Sequence, residues 1–160
     1  MTRQYTEISE AEMDEFLVAR GFQRVDIGGG VKELVYSKFL SKGNPNVDDS
    51  MPVCLRVYTS IAYGSSRDSG QDAIRLVPVT RRLDGSIRMM RSWDKTYRIE
   101  TWRKNLDKKL KYYDTDYLGP ICVKCGHLSV HRVSEKEKGI SKGFHGCITF
   151  PTCRWTKARV

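Results

Sequence analysis

Apolar residues change period along the chain, and each change predicts an element. Met13, Phe16 and Leu17 recur at helical spacing and form one stripe. Ahead of them, Ser9-Glu10-Ala11-Glu12 reads as a capping box, with Ser9 as N-cap and Glu12 at N3. Ile8 and Met13 fall where a hydrophobic staple would close, and Gly21 supplies a stop. The spacing predicts a helix over about residues 10–20.

Strand-like patterns follow. Val31 to Leu40 is rich in β-formers. Pro52 to Ala62 alternates, with Val53, Leu55, Val57 and Ile61 on one face and Cys54, Arg56, Tyr58 and Ser60 on the other. Asp72 to Val79 makes a third strand, whose Pro78 points to an edge or a strand end. A fourth covers Ser86 to Met90, after an Asp84-Gly85 turn. The gaps hold no helical crossovers, so antiparallel order is expected. Helical spacing returns from Tyr97 to Tyr113, where Ile99, Trp102, Leu106, Leu110 and Tyr113 share a face. Arg103, Lys104, Lys108, Lys109 and Lys111 lie mostly off it. The sum is an α+β fold: an N-terminal α-β-β-β-β-α domain with an antiparallel sheet, helices covering one face.

Composition then divides the chain. At 160 residues there is room for one domain or two small ones, and none for a polymerase, helicase or whole topoisomerase. Residues 1–117 carry 20 Lys and Arg against 17 Asp and Glu, while 118–160 carry 8 against 2. Four of the five cysteines also fall in the second part. Leu118-Gly119-Pro120 breaks regular structure, so the boundary is placed there. The net charge of +9 favours a polyanionic partner, nucleic acid before membrane. No apolar run approaches the ~20 residues of a membrane span, and Met1-Thr-Arg-Gln-Tyr has no signal-like apolar core, so a cytoplasmic, reducing setting is expected. There is no GxxxxGKS/T loop, and Gly28-Gly29-Gly30 reads as a turn. All three histidines lie after residue 126, which leaves no local Ser–His or Cys–His pair elsewhere, and no catalytic residue is assigned.

The sharpest chemistry is Cys122-x2-Cys125 followed by Cys147-x5-Cys153. Four thiolates suit a tetrahedral, closed, structural zinc, and two disulfides or unrelated free cysteines are the alternatives. A region of about forty residues builds little core, so one bound Zn2+ would supply its stability. Gly126 fits a tight knuckle turn. His127 and His145 lie two residues from Cys125 and Cys147, but four paired cysteines make a histidine ligand unnecessary. Cys54 is a bystander within a strand.

Cys122-Val-Lys-Cys-Gly-His-Leu, then Gly143-Phe-His-Gly-Cys147-Ile-Thr-Phe-Pro-Thr-Cys153-Arg-Trp-Thr-Lys157, resembles the C-terminal zinc ribbons of bacterial type IA DNA topoisomerases. Phe144, Gly146, Cys147, Pro151, Cys153 and Thr156 match the family's "F-x-G-C…Y-P-x-C-x-x-T" segment, with Phe150 in the Tyr place. The likeness spans about residues 120–157 and departs by lacking a Pro after Cys122 and by a basic insert from Ser134 to Lys142. It implies a module that binds single-stranded DNA or contacts RNA polymerase, without strand passage. Residues 1–117 resemble no family.

A single-strand binder interleaves stacking aromatics with cations. In the ribbon the candidates are Phe144 and Trp155 among Lys142, His145, Arg154, Lys157 and Arg132, with Phe150 assigned to the ribbon's own core. A second patch gathers Arg81, Arg82, Arg88, Arg91, Lys95 and Arg98 around Trp93. The leading expectation is a non-enzymatic nucleic-acid-binding protein taking single strands, DNA before RNA. The alternatives are a protein adaptor docking on replication or transcription machinery, and a metal-dependent nuclease. The nuclease carries the weakest signal: Glu33, Asp72 and Glu100 would have to converge, and Asp107-x-Lys109 falls on a helix surface.

Overall fold

The computed structural model describes residues 5–26, 33–47, 50–60, 73–90, 94–133 and 143–158. Helix α1 (Glu10–Val18) is followed by strands β1 (Gln23–Val25), β2 (Val35–Ser41), β3 (Val53–Tyr58), β4 (Ala73–Arg81), β5 (Ile87–Met89) and β6 (Asp94–Tyr97). Helix α2 (Trp102–Thr115) and strands β7 (Ser129–Arg132), β8 (Phe144–Cys147) and β9 (Thr156–Ala158) complete the chain. The mixed helix and antiparallel-sheet class is as expected.

Helix α1 starts where its cap predicts. Ser9 Oγ accepts from the Glu12 N–H and Glu12 Oε2 accepts from the Ser9 N–H. Met13, Phe16 and Leu17 are buried, and the chain leaves the helix through Gly21 at φ +90°.

Among the described residues the first sheet has six strands, not four. Its order is β1-β2-β3-β4-β5, with β6 also paired to β4. Strand β1 is exposed throughout and carries no alternation to read. The β6 segment overlaps the expected start of the second helix. That helix begins at Trp102 rather than Tyr97, and its buried stripe is Trp102, Leu106, Leu110 and Tyr113.

Pro78 is not at an edge. It lies in β4, opposite Leu55 of β3. A proline cannot donate to a ladder, so it fits where the ladder changes partner. On the other side of β4, β6 ends its pairing at Leu76↔Asp94, and the Pro78 carbonyl then accepts from the Met90 N–H.

The chain forms two compact units. The first takes Met1–Lys38, Cys54–Val79 and Met89–Lys108; the second takes Phe39–Val53, Thr80–Arg88 and Lys109–Val160. The expected boundary at Leu118-Gly119-Pro120 falls inside the second unit. Gly119 is there for close approach, not as a linker: its N–H donates to the Ser129 carbonyl, and a Cβ would lie 2.3 Å from the His145 ring.

The first unit is held by apolar burial. Leu55, Val57, Ile74, Leu76 and Leu106 are essentially inaccessible, and Phe16 meets Trp102 with ring centroids 5.1 Å apart. Each such side chain contributes about 1.5–3 kcal/mol. In the second unit β7, β8 and β9 form an antiparallel three-stranded sheet, with His131↔His145 and His145↔Lys157 in register.

Candidate metal centre and arginine cavity

Two turns deliver four thiols. In the first, the Cys122 N–H donates to the His127 carbonyl and the Gly126 N–H returns to the Cys122 carbonyl at 2.8 Å. Gly126 takes φ +79°, and a Cβ there would lie 2.5 Å from Val47 Cγ2. Asn44 Nδ2 donates to the Gly126 carbonyl at 2.8 Å, so residues far upstream brace this knuckle. In the second, Cys147 ends β8 and its N–H donates to the Trp155 carbonyl. The Phe150 N–H returns to the Cys147 carbonyl, bringing Cys153 back beneath it.

The four Sγ atoms lie within 4.8 Å of one another. Cys122 and Cys153 are 3.6 Å apart, and Cys125 and Cys147 3.4 Å. A disulfide needs about 2.05 Å. Four sulfurs at ~2.3 Å from a tetrahedral ion would stand about 3.8 Å apart, close to these spacings. The cluster therefore fits a metal ion and not two disulfides.

Ionisation of these thiols would be tied to any cation they bind. Burial would raise the Cys122 thiol, but the N–H groups of Cys125 and Lys124 outweigh it and bring it down to about 7. Burial and the adjoining thiols push Cys125 up to about 12, and burial raises Cys147. Four neighbouring thiols do not ionise together unless a cation balances them, which is how metal binding couples to proton release.

Neither histidine joins the cluster. His127 Nδ1 is 3.3 Å from Cys125 Sγ, a hydrogen-bond neighbour, and His145 Nε2 bonds the Asp116 carbonyl at 3.1 Å. Cys54 stays apart on β3. Among the described residues the four cysteines are the only cluster of three or more ligating side chains close enough to share an ion.

No protein-family model, curated protein or solved structure matches this chain. Function must be read from its own residues.

The arginines provide the second feature. A cavity of about 340 Å³ is lined by Met51, Arg81, Arg82, Leu83 and Arg88 and by residues 148–152, all within the second unit. The sequence placed Arg81, Arg82 and Arg88 in a patch separate from the ribbon. The fold joins them to it: Arg88 Nη1 donates to the Ile148 carbonyl at 3.0 Å and to the Phe150 carbonyl at 3.3 Å.

Phe150 is not in the ribbon's core. It is 43% exposed, with the Arg132 guanidinium 5.3 Å and that of Arg154 5.8 Å from its ring centroid. Phe144 and Trp155, the expected stacking residues, are half-buried. Lys157 is exposed on β9. Arg91, Trp93 and Lys142 lie outside the described residues; Lys95 is exposed, but Arg98 is buried and donates to the Ser60 carbonyl, so it is no surface contact. The signal that would have found Phe150 is its place between Thr149 and Pro151 at a turn tip, where little chain remains to cover it.

Among the described residues, Arg81, Arg82, Arg88, Arg132 and Arg154 form no ion pair with a carboxylate. The Arg132 guanidinium is held below its ordinary pKa, first by burial and then by the charge of Arg88. Of these arginines, only Arg82 has a carboxylate near it, that of Asp84 in its own turn, which hydrogen bonds from Ser86, and after them the charge of Arg82, hold below its ordinary pKa. Like charges crowded with so little counter-charge favour an anion. Among the described residues, the carboxylates of the nuclease reading do not converge. Glu33 is buried and accepts from the Ser60 N–H and from Arg75 Nη2, Glu100 is exposed, and Asp107 pairs with Arg20 at 2.9 Å. Asp72 lies outside the described residues.

Proposed function

We propose that the chain is a non-enzymatic nucleic-acid-binding protein that takes single-stranded DNA. In this reading Cys122, Cys125, Cys147 and Cys153 hold one structural zinc in a ribbon like those of type IA topoisomerases. The observation that carries the reading is Phe150, an exposed ring flanked by the guanidiniums of Arg132 and Arg154, beside a cavity lined by three more arginines. An exposed ring offers a base a stacking platform worth about 1–3 kcal/mol, and arginines without carboxylate partners are available to phosphates. Zinc fits four thiolates with no open position, so it organises the loop and leaves no vacant coordination site for substrate. A thiolate–zinc site belongs in a reducing compartment, which makes the cytoplasm the proposed setting. Among the described residues no helix is long and apolar enough to cross a membrane.

Fluorescence anisotropy with labelled single-stranded DNA, duplex and RNA at two salt concentrations tests this. Single strands should bind best, DNA before RNA, with affinity falling steeply as salt rises. Equal failure with all three at low salt would sink the reading. Metal analysis should return one zinc per chain.

A second reading, docking on replication or transcription machinery such as RNA polymerase, has one observation of its own. On the first knuckle Val123 is 82% exposed and Ile121 42%. A pull-down that survives nuclease treatment and is lost in Val123→Asp would favour it.

A further inference from the structure

We infer that the cavity beside Phe150 is a subsite for one unpaired nucleotide, its base against the apolar wall and its phosphate on Arg81 and Arg82. The inference rests on the single-strand reading for its ligand class, and adds where one residue of the strand goes.

The cavity's size and two-sided chemistry argue for it. About 340 Å³ lies in the ~300–1,000 Å³ range of small-ligand pockets. Its wall combines the apolar Met51, Leu83, Ile148 and Pro151 with three arginines, and no Asp or Glu lines it. A site for a bare anion has no use for that apolar wall. A site for an uncharged ring has no use for three cations. A nucleotide uses both.

The arginines are also pre-set. Arg82 Nη1 donates to the Ile87 carbonyl at 3.0 Å and to Ser86 Oγ at 3.3 Å, so its plane is fixed by the turn that carries it. Arg88 is fixed in the same way by the carbonyls of Ile148 and Phe150. A guanidinium already oriented loses less freedom when phosphate arrives. Arg81 is exposed and pairs with no carboxylate among the described residues. Phe150 lines the same cavity and is half open to solvent, so a neighbouring base can stack on it. A base inside the cavity cannot remain paired, which gives a physical reason for choosing single strands over duplex.

The test is an amide NMR titration of the full, zinc-loaded chain with thymidine 5′-monophosphate, with inorganic phosphate and thymidine as parallel arms. The monophosphate should shift the amides of Arg82, Leu83, Arg88, residues 148–150 and Thr152 saturably, at concentrations at least several-fold below those needed with either half alone. Equal shifts from inorganic phosphate would reduce the cavity to a plain anion site and overturn the proposal, as would shifts scattered elsewhere or none. A second arm compares Leu83→Asp with Val123→Asp on a twelve-residue oligothymidylate. Both side chains are exposed, both changes add one negative charge, and only Leu83 lines the cavity. Leu83→Asp should weaken binding at least fivefold more than Val123→Asp, and equal losses count against the subsite. Oligonucleotide binding with an unresponsive cavity would remove the subsite and leave the single-strand reading standing. A responsive cavity without oligonucleotide binding would do the reverse.

Discussion

The two units differ in what they leave exposed. The first buries aromatic and aliphatic side chains on a helix-covered sheet, with Trp102, Met13 and Leu17 inaccessible. The second has its small three-stranded sheet and four thiols within 4.8 Å, and leaves Phe150, Val123 and several arginines in solvent. A metal at the four thiols would let the turn tip that carries Phe150 stay uncovered, although the same unit also buries Tyr113, Tyr117 and Val130. In the proposed reading the first unit supplies stability alone, and the second adds recognition.

In the zinc-ribbon reading, removing the metal should have the largest effect. Structural zinc supplies on the order of 10–16 kcal/mol in small modules. Chelation, or Cys147→Ser, should collapse the amide NMR dispersion of residues 109–133 and 143–158, abolish zinc binding and eliminate DNA binding. The core amides of α1, β3 and β4 should keep their shifts. Cys54→Ser, on β3 and away from the cluster, should retain one zinc per chain. Loss of dispersion in both units on chelation would break the comparison and make them one cooperative body.

Next in size is Trp102→Ala. The ring is 1% exposed and packs on Phe16, so its removal should cost about 3–5 kcal/mol in urea unfolding. Zinc stoichiometry should be unchanged under conditions where the chain stays folded. Zinc loss in step with the destabilisation would show that the metal site leans on the apolar core.

Much of this division was legible in the sequence, for local reasons. Ser9 and Glu12 are three residues apart, and their capping box depends on nothing else in the chain. The alternation of Val53, Leu55 and Val57 and the stripe of Trp102, Leu106, Leu110 and Tyr113 record burial at the periods of strand and helix. The paired cysteines record a cage. What could not be read was long-range. Nothing about Asn44 and Val47 announces that they brace the Cys122–Cys125 knuckle from about eighty residues away. Nothing about Arg88 announces the Ile148 and Phe150 carbonyls. Gly119-Pro120 resembled a linker because a glycine needed for close packing and a glycine needed for flexibility look the same. Phe150 was assigned to a core by its neighbours in sequence, while its exposure depends on what the fold leaves uncovered.

Two phenylalanines sharpen the comparison further. Phe150→Ala should weaken single-strand binding by about 1–3 kcal/mol, roughly 5- to 150-fold, while changing stability by no more than about 0.5 kcal/mol. Phe16→Ala should do the opposite, because that ring is 7% exposed and packs at a tilt against Trp102. Anisotropy and urea unfolding on both variants would separate the two outcomes. If Phe150→Ala binds like the wild type, the exposed ring is no stacking platform and the recognition role of the second unit loses its main support.

The smallest effect expected is Ser9→Ala. The side chain is exposed, so the change removes no packing, only the hydrogen bond from the Glu12 N–H. Loss of an N-cap costs about 1 kcal/mol. Because α1 contributes Met13, Phe16 and Leu17 to the first unit's core, that loss should appear as a lowered urea midpoint with unchanged slope. Zinc content and DNA affinity should not move. Its value lies in that silence: a change of this size on the side assigned to stability, carried into DNA affinity, would mean that the two tasks are not divided between the units at all.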